Sequence, residues 1–260
     1  MTTPIRTTSS LNPVWLRQDV SREDGFAYWA GPHAEIMTRV PNLLEYVQRH
    51  FSYSDHGYWP ATQKVGTLIP PDWRLDGFPE VRLTSALAAL HTALHLREIM
   101  FDEQNVFDRV LGQLTGPNGG RWWNPSHDDT VAHRTAVLLQ RRRGVRGRVF
   151  RDWVHETLGP ALHSAGARDL RTYTFVPFTK FVHPTPGVNH DYATCRRYHG
   201  ALTIGADSRE HMLEILASPT VSAVVADQSR VLTAAHAYTV DRSIVVIRDG
   251  HVVPVDQRRL

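Results

Sequence analysis

FAYWAGPHAEIMTRVPNLLEYVQRHF, Phe26 to Phe51, is the stretch that decides the fold. Ser21 caps a helix here, with Asp24 three residues on as the capping acid. Phe26, Trp29, Ile36, Met37 and Val40 fall on one helical stripe, and His33 lies on the same stripe. An ionisable ring on an inward face needs a hydrogen-bond partner or a chemical task. Pro41 and Asn42 stop the helix, and Leu43 to Phe51 reads as a strand with Tyr46 in its middle.

Outward from this stretch, residues 1–10 read as a disordered or short arm, and Pro13 to Gln18 as a brief strand. Ser52 to Trp73 reads as a long loop carrying Tyr53, His56, Tyr58 and Trp59, a length that suits a lid. Gly77 to Leu83 is expected as a strand. A helix capped by Thr84 and Ser85 follows, with Leu87, Leu90 and Leu94 as its buried stripe. Phe101 to Leu114 reads as helix then strand, and Gly116 to Gly120 (GPNGG) as a turn or linker.

The same order then runs again. Val131–Leu139 is read as a strand, Val145–Ser164 as a helix and Asp169–Phe178 as a strand. A second long loop with Phe181, His183, His190 and Tyr192 leads to a strand at Tyr198–Gly205. Helices at Ser208–Leu216 and around Thr220–Leu232 and a strand at Ala237–Ile247 complete the run. Matched residues keep their spacing: Phe26 with Phe150, Trp29 with Trp153, Tyr46 with Tyr173, Gly77 with Gly200, Asp102 with Asp227. A spacing held across several elements points to duplication. The expected fold class is α+β, as two tandem β-α-β-β-α-β units of ferredoxin-like order, residues 11–120 and 128–250.

F-x-Y-W-x-x-x-H-A at Phe26, Tyr28, Trp29, His33 and Ala34, with Tyr46 on the next strand, resembles the EthD-type signature. Asp102, Glu103 and Phe107 resemble that family's later D-E-x-x-x-F stretch. The resemblance covers most of the chain, although the second copy keeps only Phe150 and Trp153 of the helix signature. It implies a dimeric α/β barrel, two antiparallel ferredoxin-like sheets packed face to face, with the pairing expected within this one chain. Enzymes with this barrel that the chain resembles include anthrone and ring-cleaving oxygenases, polyketide cyclases, muconolactone isomerases, and dehydratase or decarboxylase relatives.

The two copies differ at the histidine. Thr157 stands where His33 stands, and on an ideal helix His155 falls on the opposite face from Trp153. A packing role alone would give both copies equal reason to keep such a ring, so His33 is the candidate general base. Tyr46 is the candidate to steady developing negative charge. Trp29, Tyr28, Met37, Tyr58, Trp59, His190 and His199 are the candidate substrate-binding residues for a planar phenolic molecule. The expected activity is oxygenation of an aromatic or polyketide-like phenol. The alternatives are a lyase, cyclase or isomerase on the same kind of substrate, or a non-catalytic accessory protein.

Composition narrows the classes further. The chain has 260 residues, 42% hydrophobic and 21% charged, an ordinary soluble balance. No apolar run reaches membrane-spanning length, and no apolar leader core is present, so a cytoplasmic setting is expected. Cys195 is the sole cysteine, which excludes an internal disulfide and Cys-based zinc boxes. The Arg141–Arg148 basic run lacks interleaved aromatics and reads as a solvated loop, so no nucleic-acid partner is expected. His91 with His95, the His183–His199 group and His127–Asp129 match no known metal box, and no metal is expected. No phosphate loop or dinucleotide fingerprint occurs, so no tightly bound cofactor is expected, while reduced flavin as a co-substrate stays open. A homodimer also stays open.

Overall fold

Among the described residues, ten strands of three residues or more and two long helices, each interrupted by a π-turn, place the candidate residues. The computed structural model describes residues 3–93, 95, 97–180 and 185–258, the side chains of Leu90 and Ala93 excepted. Leu94, Phe181 and His183 lie outside the described residues. In chain order the first half holds β1 (Ile5–Leu11), β2 (Val14–Leu16), a helix over residues 22–37 (α1), β3 (Leu43–His56) and β4 (Gly77–Leu83). It continues with α2 (Ala86–Ala93), α3 (Arg97–Glu103), β5 (Phe107–Val110) and β6 (Thr115–Trp122). The second half holds β7 (His133–Arg141), a helix over residues 147–164 (α4), β8 (Arg168–Phe175) and β9 (Gly200–Ala206). α5 (Arg209–Ala217), α6 (Pro219–Ala226) and the long β10 (Leu232–Arg248) follow.

Strand order is β6–β1–β4–β3 in the first half and β8–β9–β7–β10 in the second. The same ferredoxin-like order is therefore written twice. β3 pairs with β10 and β6 with β8, both antiparallel, so the two sheets join at both edges into one closed antiparallel barrel. Closure leaves no bare edge among these strands. β2 and β5 pair with each other beside β4 and extend the sheet outward.

Because helices cover the outside, barrel strands are buried on both faces. On β3, Glu45, Arg49 and Phe51 turn into the barrel, while Tyr46 and Gln48 turn toward α1. One end of the barrel interior is apolar, with Phe51, Phe78, Leu138 and Tyr238 packed together. The other is ionic. Arg171 binds Glu45 at 2.7 and 2.9 Å, Glu80 at 3.0 Å and Asp169 at 3.1 Å. Arg49 binds Glu80 at 3.0 Å, and Arg134 binds Asp169 at 3.2 Å. Such a network offsets its own desolvation only while every member is paired. Burial alone would raise the Glu80 carboxyl, but the Arg171 and Arg49 guanidiniums beside it bring it down to about 2.

Several expectations are corrected. The presumed arm at residues 1–10 contains β1, held between β4 and β6. GPNGG is part of β6, with Asn118 at φ 57 inside an irregular stretch, because β8 offers the strand an edge that the local sequence does not reveal. β3 runs on to His56, paired with β10, so the long loop starts later than Ser52. Leu87 is 76% exposed and is not part of a buried stripe. His155 is buried rather than outward-facing, since a π-turn over Trp153–Leu158 widens the helix and breaks the 3.6-residue spacing.

Candidate functional site

α1 is built as the sequence suggests at its start: the Ser21 side chain accepts from the Asp24 amide at 3.0 Å and donates to its carboxylate at 2.6 Å. It is regular over Arg22–Tyr28, a π-helix over Trp29–His33 and regular again over Ala34–Met37. Pro32, which has no amide hydrogen to give, sits inside the π-turn. Trp29, His33, Met37 and Val40 all remain on the buried side.

His33 Nδ1 lies 2.8 Å from an oxygen of Asp102, which α3 presents at its last turn. The other Asp102 oxygen accepts from Tyr28 Oη at 2.8 Å and from Asn105 Nδ2 at 3.1 Å. A carboxylate accepting at Nδ1 fixes the imidazole as the Nδ1–H tautomer and leaves Nε2 with the lone pair. Burial alone would raise the Asp102 carboxyl, but the hydrogen bonds from His33, Tyr28 and Asn105 outweigh it and hold the group below its ordinary range. The Phe107 ring meets the imidazole edge-on at 5.5 Å. His33 is 3% exposed and lines a cavity of ≈ 130 Å³ between the outer face of β3 and β4 and the helices.

Met37, Tyr46 and Glu103 line the same cavity, within walls that include Leu43, Val81 and Ile99. Burial pushes the Tyr46 hydroxyl up to about 12, so it is a donor throughout the physiological range. Gln48 Nε2 approaches that hydroxyl at 3.5 Å and donates to the Trp29 carbonyl at 2.7 Å, fastening β3 to the π-turn. Glu103, 5% exposed, accepts from Thr185 Oγ1 at 2.6 Å.

The remaining sequence candidates divide. Tyr28 touches the site through Asp102. Trp29 is a core residue at 0% exposure, stacked on His50 at 4.6 Å and edge-on to Phe107 at 5.3 Å. Tyr58 and Trp59 are not in the His33 cavity. They line a larger surface groove of ≈ 840 Å³ with Trp15, Tyr53 and Arg74. The Trp59 indole donates to Gln228 at 2.8 Å. His190 donates to the Val110 carbonyl at 2.7 Å and accepts from the Thr185 amide at 3.0 Å, so it pins the loop that carries Thr185 to Glu103. His199 belongs to the second half, where it accepts from the Arg141 amide at 3.2 Å. Burial and the neighbouring Arg141 charge push it down to about 4.

Asp102 and Glu103 were absent from the site read out of the sequence. Their signal was the D-E-x-x-x-F stretch itself, whose two acids close the helix before β5. Thr185 carries no such signal, since a loop threonine gains its role only from the chain path.

Comparison with known proteins places the fold. No family model matches the chain, and no curated protein matches it by sequence. Among solved structures, a candidate monooxygenase from Lactobacillus acidophilus superposes with a TM-score of 0.57 at 9% identity, covering 97% of this chain and 100% of its own. One from Fusobacterium nucleatum gives 0.58 at 5% identity over 96% and 97%. An anthrone oxidase-like protein gives 0.55 at 8% identity over 93% and 94%. At such identities the likeness is one of fold, and the chain shares with these proteins the barrel of the dimeric α/β type.

Proposed function

We propose that this protein is an oxygenase-type enzyme of EthD-like ancestry, with one substrate site in the His33 cavity. The observation that carries this reading is the oriented His33–Asp102 pair on the wall of a largely apolar cavity that Tyr46 also lines. Nε2 of His33 takes a proton from an activated phenolic or carbon acid, and the imidazolium that forms is stabilised by the Asp102 carboxylate. The protonated Tyr46 hydroxyl donates to the oxyanion as it develops. A substrate carbanion formed in this way adds dioxygen to give a hydroperoxide, and loss of water from a C–H carbon leaves a carbonyl. One oxygen atom ends in the product and the other in water.

Cavity size narrows the substrate. A cavity of about 150 Å³ takes a benzene-sized guest, so ≈ 130 Å³ suits a single activated ring better than a polycyclic polyketide. The test is oxygen uptake with a panel of single-ring and polycyclic phenols. Wild type is expected to consume oxygen with a single-ring substrate, and His33→Gln to lose about 10²- to 10⁴-fold in kcat while still binding it. Turnover without oxygen uptake assigns a lyase, cyclase or isomerase instead. Binding without turnover assigns the accessory role.

A further inference from the structure

Away from the His33 cavity, β1 and β6 set two arginines directly opposite each other: Arg6 is the register partner of Arg121. Like charges in this position repel across the ladder. A third arginine, Arg151 of α4, joins them in lining a cleft of ≈ 340 Å³. Burial, then the fields of Arg6 and Arg151, lower the Arg121 guanidinium from its ordinary value, with Glu156 opposing. Among the described residues none of the three arginines forms an ion pair with a carboxylate. Arg121 donates only to the Asn118 and Gly120 carbonyls. The contrast lies within the same molecule, where Arg49, Arg134 and Arg171 are all matched by acids.

The cleft is more than a charged surface. The Gly116–Gly119 stretch of β6, which lacks bulky side chains, lines it together with Thr174 and Val176, the latter 44% exposed. Three guanidiniums lining one cleft beside an exposed valine match an oxyanion attached to a small organic body, and the planar fork of arginine suits phosphate oxygens. We infer that the cleft formed by Arg6, Arg121 and Arg151 is a binding site for a small organic phosphate monoester, with the phosphate on the arginines and the organic group against Val176. Its volume exceeds that of inorganic phosphate and suits a small molecule. The site lies outside the barrel at the seam where β6 meets β8, and stands independently of the chemistry at His33.

The experiment titrates the intact protein at low ionic strength with phenyl phosphate, inorganic phosphate and benzoate, read by calorimetry and by the melting temperature. Saturable binding is expected in the order phenyl phosphate, inorganic phosphate, benzoate. Arg151→Gln, an exposed change, is expected to lose about tenfold or more in phenyl phosphate affinity, the scale of one charge-assisted hydrogen bond. Arg6→Gln is expected to lose affinity and, without ligand, to melt higher than wild type, because it relieves the cross-strand repulsion. His33→Gln is expected to bind phenyl phosphate as wild type does, which separates this site from the proposed active site. No saturable binding, unchanged affinity in Arg151→Gln and Arg6→Gln, or tighter binding of benzoate than of phenyl phosphate would each overturn the assignment.

Discussion

Asp102→Asn tests the centre of the proposed site without changing its shape. In the wild type one carboxylate oxygen serves His33 and the other serves both Tyr28 and Asn105. An asparagine has one acceptor oxygen and one donor amide. Asn105 can only donate through its amide nitrogen, so the new carbonyl is best left where Tyr28 and Asn105 already point. The new amide then faces His33 Nδ1, which must accept, and the ring switches to the Nε2–H tautomer. The lone pair leaves the cavity and the base is lost while the fold stays intact. A hydrogen bond to a charged group is worth about 1.5–3 kcal/mol against about 1 for a neutral one, so the net cost is about 2 kcal/mol or less. For a chain of this size that lowers the melting temperature by about 4–8 °C at most. The tautomer is read directly from two-bond ¹H–¹⁵N couplings of labelled histidine. Wild type is expected to show Nδ1–H at His33 and the variant Nε2–H. The pH dependence has a fixed sign. The folded-state Asp102 carboxyl lies below its ordinary value of 3.8, so its contribution is present above that value and is lost as pH falls through the lower folded one. The variant lacks that acid-labile contribution. An unchanged Nδ1–H tautomer in Asp102→Asn would refute the claim that this carboxylate sets the ring.

Other expectations follow from packing and buried charge. Gly77→Ala puts a methyl 2.2 Å from the Arg49 carbonyl and 3.0 Å from the Trp29 ring. It is expected to cost about 3 kcal/mol or to prevent folding, whereas Gly31→Ala, which meets nothing within 4 Å, gains about 0.5–1 kcal/mol. Paired thermal melts check both. Arg171→Met takes from Glu45 its two-pronged partner and from Glu80 one of its two guanidiniums, and is expected to cost about 3–5 kcal/mol by denaturant titration. It also moves acid unfolding to higher pH, because Glu80 then loses one of the two guanidiniums that bring it to about 2. Burial holds His50 and His155 down at about 3 and His236 at about 4. The unfolded chain therefore takes up protons first, and stability is expected to fall from about pH 6.5 downward toward those values. His155→Leu is expected to flatten the upper part of that slope in pH-dependent melts.

How much was legible depended on whether a feature was local or made by distant strands. The α1 stripe, its Ser21 cap and the Gly77–Leu83 strand are local consequences of side-chain spacing, and the structure has them. Gly77 and Gly200 were matched by spacing alone, and both prove to be close approaches. An added Cβ at either would strike a neighbouring strand carbonyl and a helix ring, Trp29 for the first and Phe150 for the second. β1 and β6 were not legible, because their polar and glycine-rich sequences become strands only when β4 and β8 supply partners. The ionic barrel core was hidden for a related reason. Glu45, Arg49, Glu80 and Arg171 read as ordinary surface charges until barrel closure turns them inward.

The two halves show why a candidate base has to be argued from its partner rather than from its position. Both long helices carry a π-turn at matched tryptophans, Trp29 and Trp153, and each brings a histidine onto a buried face. His33 meets a carboxylate and borders a cavity. His155 meets the Thr172 hydroxyl at 2.8 Å, with the Gly119 carbonyl and the Thr174 hydroxyl at 3.2 Å, and burial drives it to about 3. Asp227, the residue that the spacing matches to Asp102, is largely exposed and paired to Arg230 at 3.3 Å. The second half therefore keeps an acid and a histidine in its sequence but holds them apart. A buried histidine whose partners are hydroxyls and a carbonyl is a neutral structural group. One held by a carboxylate on the wall of a largely apolar cavity has the counter-charge and the space that proton abstraction needs, which is why the proposed base is His33.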